Sequence, residues 1–196
     1  MTTMRTTRLL MATILLATFS AAAQEMPKIV QTRCGLCHGA KGEAGNDELP
    51  VLAGQHAEYL AKQLRDFQAG KRTGTMQRFA KPLTEADITA VAAWYAAQKP
   101  PAHKVNDKDL HAAGRYLFQK NVGSGLPPCQ SCHGDKAQGT AIAPRLASQH
   151  APYIERQLKE FNQRARNNDN EIMHTVAAAL SAFDMKALAE YLASLE

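Results

Sequence analysis

Apolar side chains recur at helical spacing along this chain, and one such pattern occurs twice. Tyr59, Leu60, Gln63, Leu64 and Phe67 share one face of a 3.6-residue repeat, and Tyr153, Ile154, Gln157, Leu158 and Phe161 reproduce it. Thr84-Glu85-Ala86-Asp87 and Ser181-Ala182-Phe183-Asp184 have the Ser/Thr-x-x-acid form of a capping box, each opening another helix. Ile88, Val91, Ala92 and Tyr95 stripe the first of these; Met185, Leu188, Ala189 and Leu192 stripe the second. One more helix is expected over about 107–120, carrying Gly114, Tyr116, Leu117 and Phe118. No stretch alternates convincingly as a strand would, so the expected fold class is all-α.

The duplicated pattern extends well beyond one helix. Leu52-Ala53-Gly54-Gln55-His56-Ala57-Glu58-Tyr59 matches Leu146-Ala147-Ser148-Gln149-His150-Ala151-Pro152-Tyr153 at an offset of 94. Upstream, Cys34-Gly35-Leu36-Cys37-His38-Gly39 matches Cys129-Gln130-Ser131-Cys132-His133-Gly134 at 95, and downstream Met76 matches Met173 at 97. A period this long is a duplicated domain, since solenoid units are shorter. The join falls where Pro100 and Pro101 end the preceding helix and favour an extended linker. The expected organisation is a first domain over 24–99, a linker over 100–106 and a second domain over 107–196.

Residues 1–23 form a separate element. Arg5 and Arg8 precede the apolar run Leu9 to Ala17, and Ala21-Ala22-Ala23 closes the segment. This is the layout of a secretory signal peptide cleaved near Ala23; the run is short of the roughly 18–20 residues that span a bilayer. The mature protein is expected to be soluble outside the cytoplasm, in the periplasm of a Gram-negative producer. The leader carries two arginines and no acids, so its removal lowers the net charge from +5 to +3. That value gives no case for nucleic-acid binding.

The export signal bears on the four cysteines, all of which lie in two Cys-x-x-Cys-His motifs: Cys34, Cys37 and His38, then Cys129, Cys132 and His133. Each reads as a haem c attachment site, in which both thiols add to the vinyl groups of one haem and the histidine ligates the iron. A thioredoxin-like pair, a zinc site built from two knuckles and two short disulfides are the rival readings. Two copies at equivalent places in a repeat, each followed by His-Gly in an exported chain, outweigh them. Two covalent haems then supply core that these small domains lack, and the Tyr/Phe edges of the repeated helices are expected to face them. Gly39, Gly42 and Gly45 are expected to let the chain wrap closely around the first haem.

A second axial ligand must come from farther along each domain. Of the methionines that survive cleavage, Met76 and Met173 alone are repeat-equivalent, 38 residues after His38 and 40 after His133. Both are expected on a loop just before a helix, while Met185 reads as core. His56 and His150 compete as a repeat-related pair, but they open a helix and read as cap-proximal surface. His174 has Gln77 as its counterpart, and His103 and His111 read as solvated.

With these residues in place the chain resembles the dihaem cytochrome c4 family, two class I cytochrome c domains in tandem. The resemblance covers nearly the whole mature chain and rests on the two haem motifs, the Pro-x-Leu-Ala-x-Gln-His segments at 50–56 and 144–150, and the late methionines. It implies that the carbonyls of Pro50 and Pro144, 12 and 11 residues after the haem histidines, accept from those rings. It also implies a helix crossing of Gly114 against Tyr191. The first domain lacks that glycine, leaving Ile29 and Val30 to pack near Trp94. Function is expected to be electron transfer between redox protein partners, with a terminal oxidase as one acceptor and peripheral contact with membrane-bound respiratory complexes. A cytochrome subunit of a flavoprotein dehydrogenase is the alternative; a dihaem peroxidase would need an open iron and acid/base residues.

Overall fold

The computed structural model describes residues 25–120 and 125–196; the expected leader lies outside the described residues. Every regular element among them is helical, in two consecutive sets. A π-helical turn, Val30–Cys34, runs into α1 (Gly35–His38), followed by α2 (Ala57–Gln68), α3 (Met76–Ala80) and α4 (Glu85–Ala96). The second set is α5 (Lys108–Gln119), α6 (Gln130–His133), α7 (Ala151–Asn162), α8 (Ile172–Ala177) and α9 (Ala182–Ala193). Both expected capping boxes form. Asp87 N–H donates to the Thr84 hydroxyl at 3.1 Å, and Asp184 N–H donates to that of Ser181 at 3.1 Å. Asp107 caps α5, its carboxylate accepting from the backbone of Asp109 and Leu110.

Each set encloses its own core. Val30, Leu60, Ile88, Val91 and Tyr95 centre the first; Phe118, Ile154, Leu158, Phe161, Met185 and Leu188 centre the second. The expected crossing of α5 and α9 is present and very close. A Cβ on Gly114 would lie 2.0 Å from the carbonyl oxygen of Ala187 and 2.8 Å from Cβ of Tyr191. In the first domain Val30 is fully buried, with Ile29 and Trp94 partly buried beside it, and Trp94 Nε1 donates to the Ala40 carbonyl at 2.8 Å.

Two sets of side chains make contacts that the sequence did not suggest. The tyrosine hydroxyls of the repeated helices accept from guanidinium groups of the opposite domain. Arg166 donates to the Tyr59 hydroxyl at 2.8 Å, and Arg72 donates to that of Tyr153 at 3.2 Å and to Gln157 at 2.8 Å. Phe67 and Phe161 remain in their own domains. The histidines read as solvated are also engaged. His103, in the linker, bonds the Ser148 carbonyl at 3.1 Å and meets His150 edge-on at 4.8 Å between ring centroids. His111 lies edge-on to Tyr191 at 5.3 Å.

Two predictions follow from this packing. Gly114→Ala would press a methyl group onto a backbone carbonyl that cannot swing away. Despite the better helix propensity of alanine, it should cost about 3 kcal/mol of unfolding free energy in denaturant titration of the holoprotein. His150 is held below its ordinary pKa by burial and by a charge on His103, against the opposing influence of Asp47 and the Glu43 carbonyl. A lowered folded-state pKa means that the unfolded chain takes up the proton first. Stability should therefore fall as pH drops through and below about 6.5, and His150→Gln should flatten that fall when unfolding midpoints are compared across this range.

Candidate haem sites

One helical turn assembles each attachment motif. Cys34 caps α1 and Cys37 and His38 lie within it; Cys129 caps α6, followed by Cys132 and His133. The i, i+3 spacing sets each thiol pair on one side of its turn, and none of the four cysteines is in a disulfide. Burial pushes the thiols of Cys34 and Cys129 up from the ordinary value. That opposes a thioredoxin-like pair, which needs a depressed thiol. Nor do three His, Cys, Asp or Glu side chains converge on a metal position among the described residues, so the zinc reading finds no site.

The histidines are placed as a proximal ligand requires. His38 and His133 are buried, and their Nδ1 atoms lie 3.4 Å from the Pro50 carbonyl and 2.9 Å from the Pro144 carbonyl. A carbonyl only accepts, so Nδ1 carries the proton and Nε2 keeps its lone pair. Burial lowers both ring pKa values, with the proline carbonyls pulling the other way, and the neutral imidazole is favoured. The donor set fits a covalently held haem in each domain: two thiols on one turn and a neutral imidazole with a free Nε2.

Gly42, expected to make room for the haem, serves the chain itself. A Cβ there would stand 2.7 Å from the Ala53 nitrogen and 2.8 Å from the Tyr95 ring, so the glycine lets the haem loop close onto its own core. Met76 and Met173 lie in the first turn of α3 and α8, not on the loops before them; both are half-buried, and Met173 packs against the second core. The competing histidines are mostly committed elsewhere. His56 Nε2 bonds the Gln138 carbonyl of the other domain at 2.9 Å, and His174 Nδ1 bonds the Phe161 carbonyl at 3.0 Å. His150 Nε2 is buried without a partner, beside His103.

Sequence reasoning missed what lies behind the two prolines. Gln149 reaches from the second domain to Val51, accepting from its N–H at 2.8 Å and donating to its carbonyl at 2.9 Å. Gln55 does the same to Arg145, both bonds at 2.9 Å. The signal was there: an identical glutamine in both copies of the repeat, at a position that caps no helix and ligates nothing.

Comparison with known proteins agrees with this arrangement. Residues 111–196 match the Cytochrome c family, and residues 21–94 match the family described as cytochrome C oxidase, cbb3-type, subunit III. Cytochrome c4 of Pseudomonas aeruginosa is 39% identical over 168 residues, covering 83% of each chain. A thiosulfate dehydrogenase electron acceptor of Thiomonas intermedia is 38% identical over 169 residues, covering 82% of this chain and 77% of that one. The crystal structure of reduced recombinant cytochrome c4 from Pseudomonas stutzeri superposes with a TM-score of 0.77 at 35% identity, over 83% of this chain and 93% of that one. With its two tandem cytochrome c domains and a covalent haem c at each Cys-x-x-Cys-His motif, the chain belongs to the cytochrome c4 family of electron-transfer proteins.

Proposed function

We propose that this protein is a periplasmic dihaem electron carrier, cut from its leader near Ala23, with haem domains at 24–99 and 107–196 joined by a linker at 100–106. Its redox partners are respiratory proteins, a terminal oxidase among the acceptors, reached by peripheral contact with membrane-bound complexes. No described helix is long and apolar enough to cross a membrane. His38 and Met76 would hold the iron of the first haem, and His133 and Met173 that of the second. The observation that carries this reading is the pair of buried histidines whose Nδ1 protons are committed to proline carbonyls. Bound haem supplies one-electron exchange between ferric and ferrous iron. The chain's part is to hold each imidazole in one tautomer and one orientation, and to bring a thioether that shields the other side from solvent ligands.

A second reading has one observation in its favour. A relative of similar length is named a thiosulfate dehydrogenase electron acceptor, so a dehydrogenase in the same compartment is a candidate donor. Copurification with such an enzyme would make the protein its dedicated acceptor, whereas purification alone favours a mobile carrier.

The ligand assignment is tested on the mature protein. Its mass should equal the chain from about Gln24 plus two haems, with no thiol open to alkylation. Both ferric haems should show the far-red sulfur-to-iron band, and neither ferrous haem should bind carbon monoxide readily at neutral pH. Met76→Ala should remove about half the band, open one iron to carbon monoxide and lower that haem's potential. Met173→Ala should do so at the other haem, and His56→Ala should leave ligation intact. Carbon monoxide binding by the wild type together with peroxide turnover would replace the carrier with an enzyme.

A further inference from the structure

The bonds made by Gln149 and Gln55 end on particular peptide groups. Val51 N–H belongs to the same peptide unit as the Pro50 carbonyl, and Arg145 N–H to the same unit as the Pro144 carbonyl. No described peptide bond is cis, so the N–H and C=O of each unit point in opposite directions. One edge of the Pro50–Val51 peptide therefore faces the His38 ring, and the other donates to Gln149 Oε1 across the domain interface. The Pro144–Arg145 peptide likewise lies between His133 and Gln55.

Both glutamines are buried and held from behind. Gln149 Oε1 also accepts from His150 N–H, and Gln55 Oε1 from His56 N–H, each at 3.1 Å, which ties each clamp to the start of its own α7 or α2. A hydrogen bond to a peptide N–H polarises its carbonyl and makes it a stronger acceptor. A stronger acceptor raises the basicity of the imidazole that donates to it.

We infer that Gln149 and Gln55 are positioning residues that act crosswise, Gln149 on the haem of the first domain through Pro50 and His38, and Gln55 on the haem of the second through Pro144 and His133. This rests on the proposed histidine ligation. Domain docking thereby becomes part of what sets each haem's potential. Losing a clamp weakens the carbonyl as acceptor, makes the ring less electron-rich and disfavours ferric iron, so the potential of the opposite haem rises.

The test uses the full-length holoprotein. Spectroelectrochemical titration of wild type, Gln149→Ala and Gln55→Ala would assign each potential, with Met76→Ala and Met173→Ala identifying which haem is which. Gln149→Ala should raise the first-domain haem by about threefold in its ferric–ferrous equilibrium, about 28 mV for a one-electron couple, and leave the second within error. Gln55→Ala should do the converse. In the ferrous protein, the His38 ring N–H should exchange faster with solvent in Gln149→Ala while that of His133 does not. Gln149→Leu keeps the side-chain bulk without either hydrogen bond and should behave the same, which covers a poorly folded alanine variant. Lys62→Ala loses a different interdomain contact, to the Asn168 carbonyl, and should move neither potential. A shift in the mutated domain's own haem, equal shifts in both, or lower stability with unchanged potentials and ring exchange would each overturn the inference. The His/Met spectra of the wild type test the ligand assignment separately.

Discussion

One peptide group in each domain carries most of the architecture: Pro50–Val51 in the first and Pro144–Arg145 in the second. On one edge its carbonyl fixes a buried imidazole; on the other its N–H is bound by a glutamine of the neighbouring domain. The loop bearing it must lie close against its own domain, which explains why Gly42 abuts the Ala53 backbone and Tyr95. The imidazoles of His38 and His133 are thus oriented by backbone groups that cannot titrate, and the glutamines that brace them carry no charge either.

Further side-chain hydrogen bonds cross between the domains around these clamps. Repeat-related residues meet in crossed pairs: Arg72 with Tyr153 and Gln157, Arg166 with Tyr59 and Gln63. Burial acts to lower the pKa of Arg166, yet Tyr59, Tyr153 and Asp169 outweigh it, while Arg72 and Arg166 overcome burial to hold the Tyr153 phenol below its ordinary value. Such a network is costly to break, because removing one member strands a buried donor or acceptor at about 1–3 kcal/mol. It is also specific, since hydrogen bonds fix a relative orientation that apolar contact would leave loose.

Much of this was legible in the chain. Period and capping boxes located α2, α4, α7 and α9, the Cys-x-x-Cys-His motifs marked both haem sites, and the prolines after them lie within reach of the histidines. What escaped reading shares a physical cause. Tyr59 and Tyr153 lie on amphipathic faces that periodicity assigns to a core, and periodicity is blind to whether the covering surface is a cofactor or a second domain. His103 and His111 stand in polar sequence that looks solvated, yet His103 reaches Ser148 and His150, and His111 packs on Tyr191 of its own domain. That the methionines are helical went unread because α3 and α8 are too short, at five and six residues, to produce a periodic signal.

The two domains are unequal in how they close. The second lays α5 across α9 and joins it to the linker through Glu190, which accepts from Asn106 and Asp107 N–H at 2.5 and 3.0 Å. Among the described residues the first has the turn Val30–Cys34, whose end is also the first haem cysteine, so its closing segment and its haem motif are one continuous helical piece. Any movement of Val30 out of the first core therefore reaches Cys34 directly, whereas α5 ends at Gln119, ten residues before Cys129. The linker offsets part of that difference: Pro100 covers Gly54, His103 bonds Ser148, and Asn106 ends on Glu190. Through these three contacts the segment from Pro100 to Asn106 touches both domains.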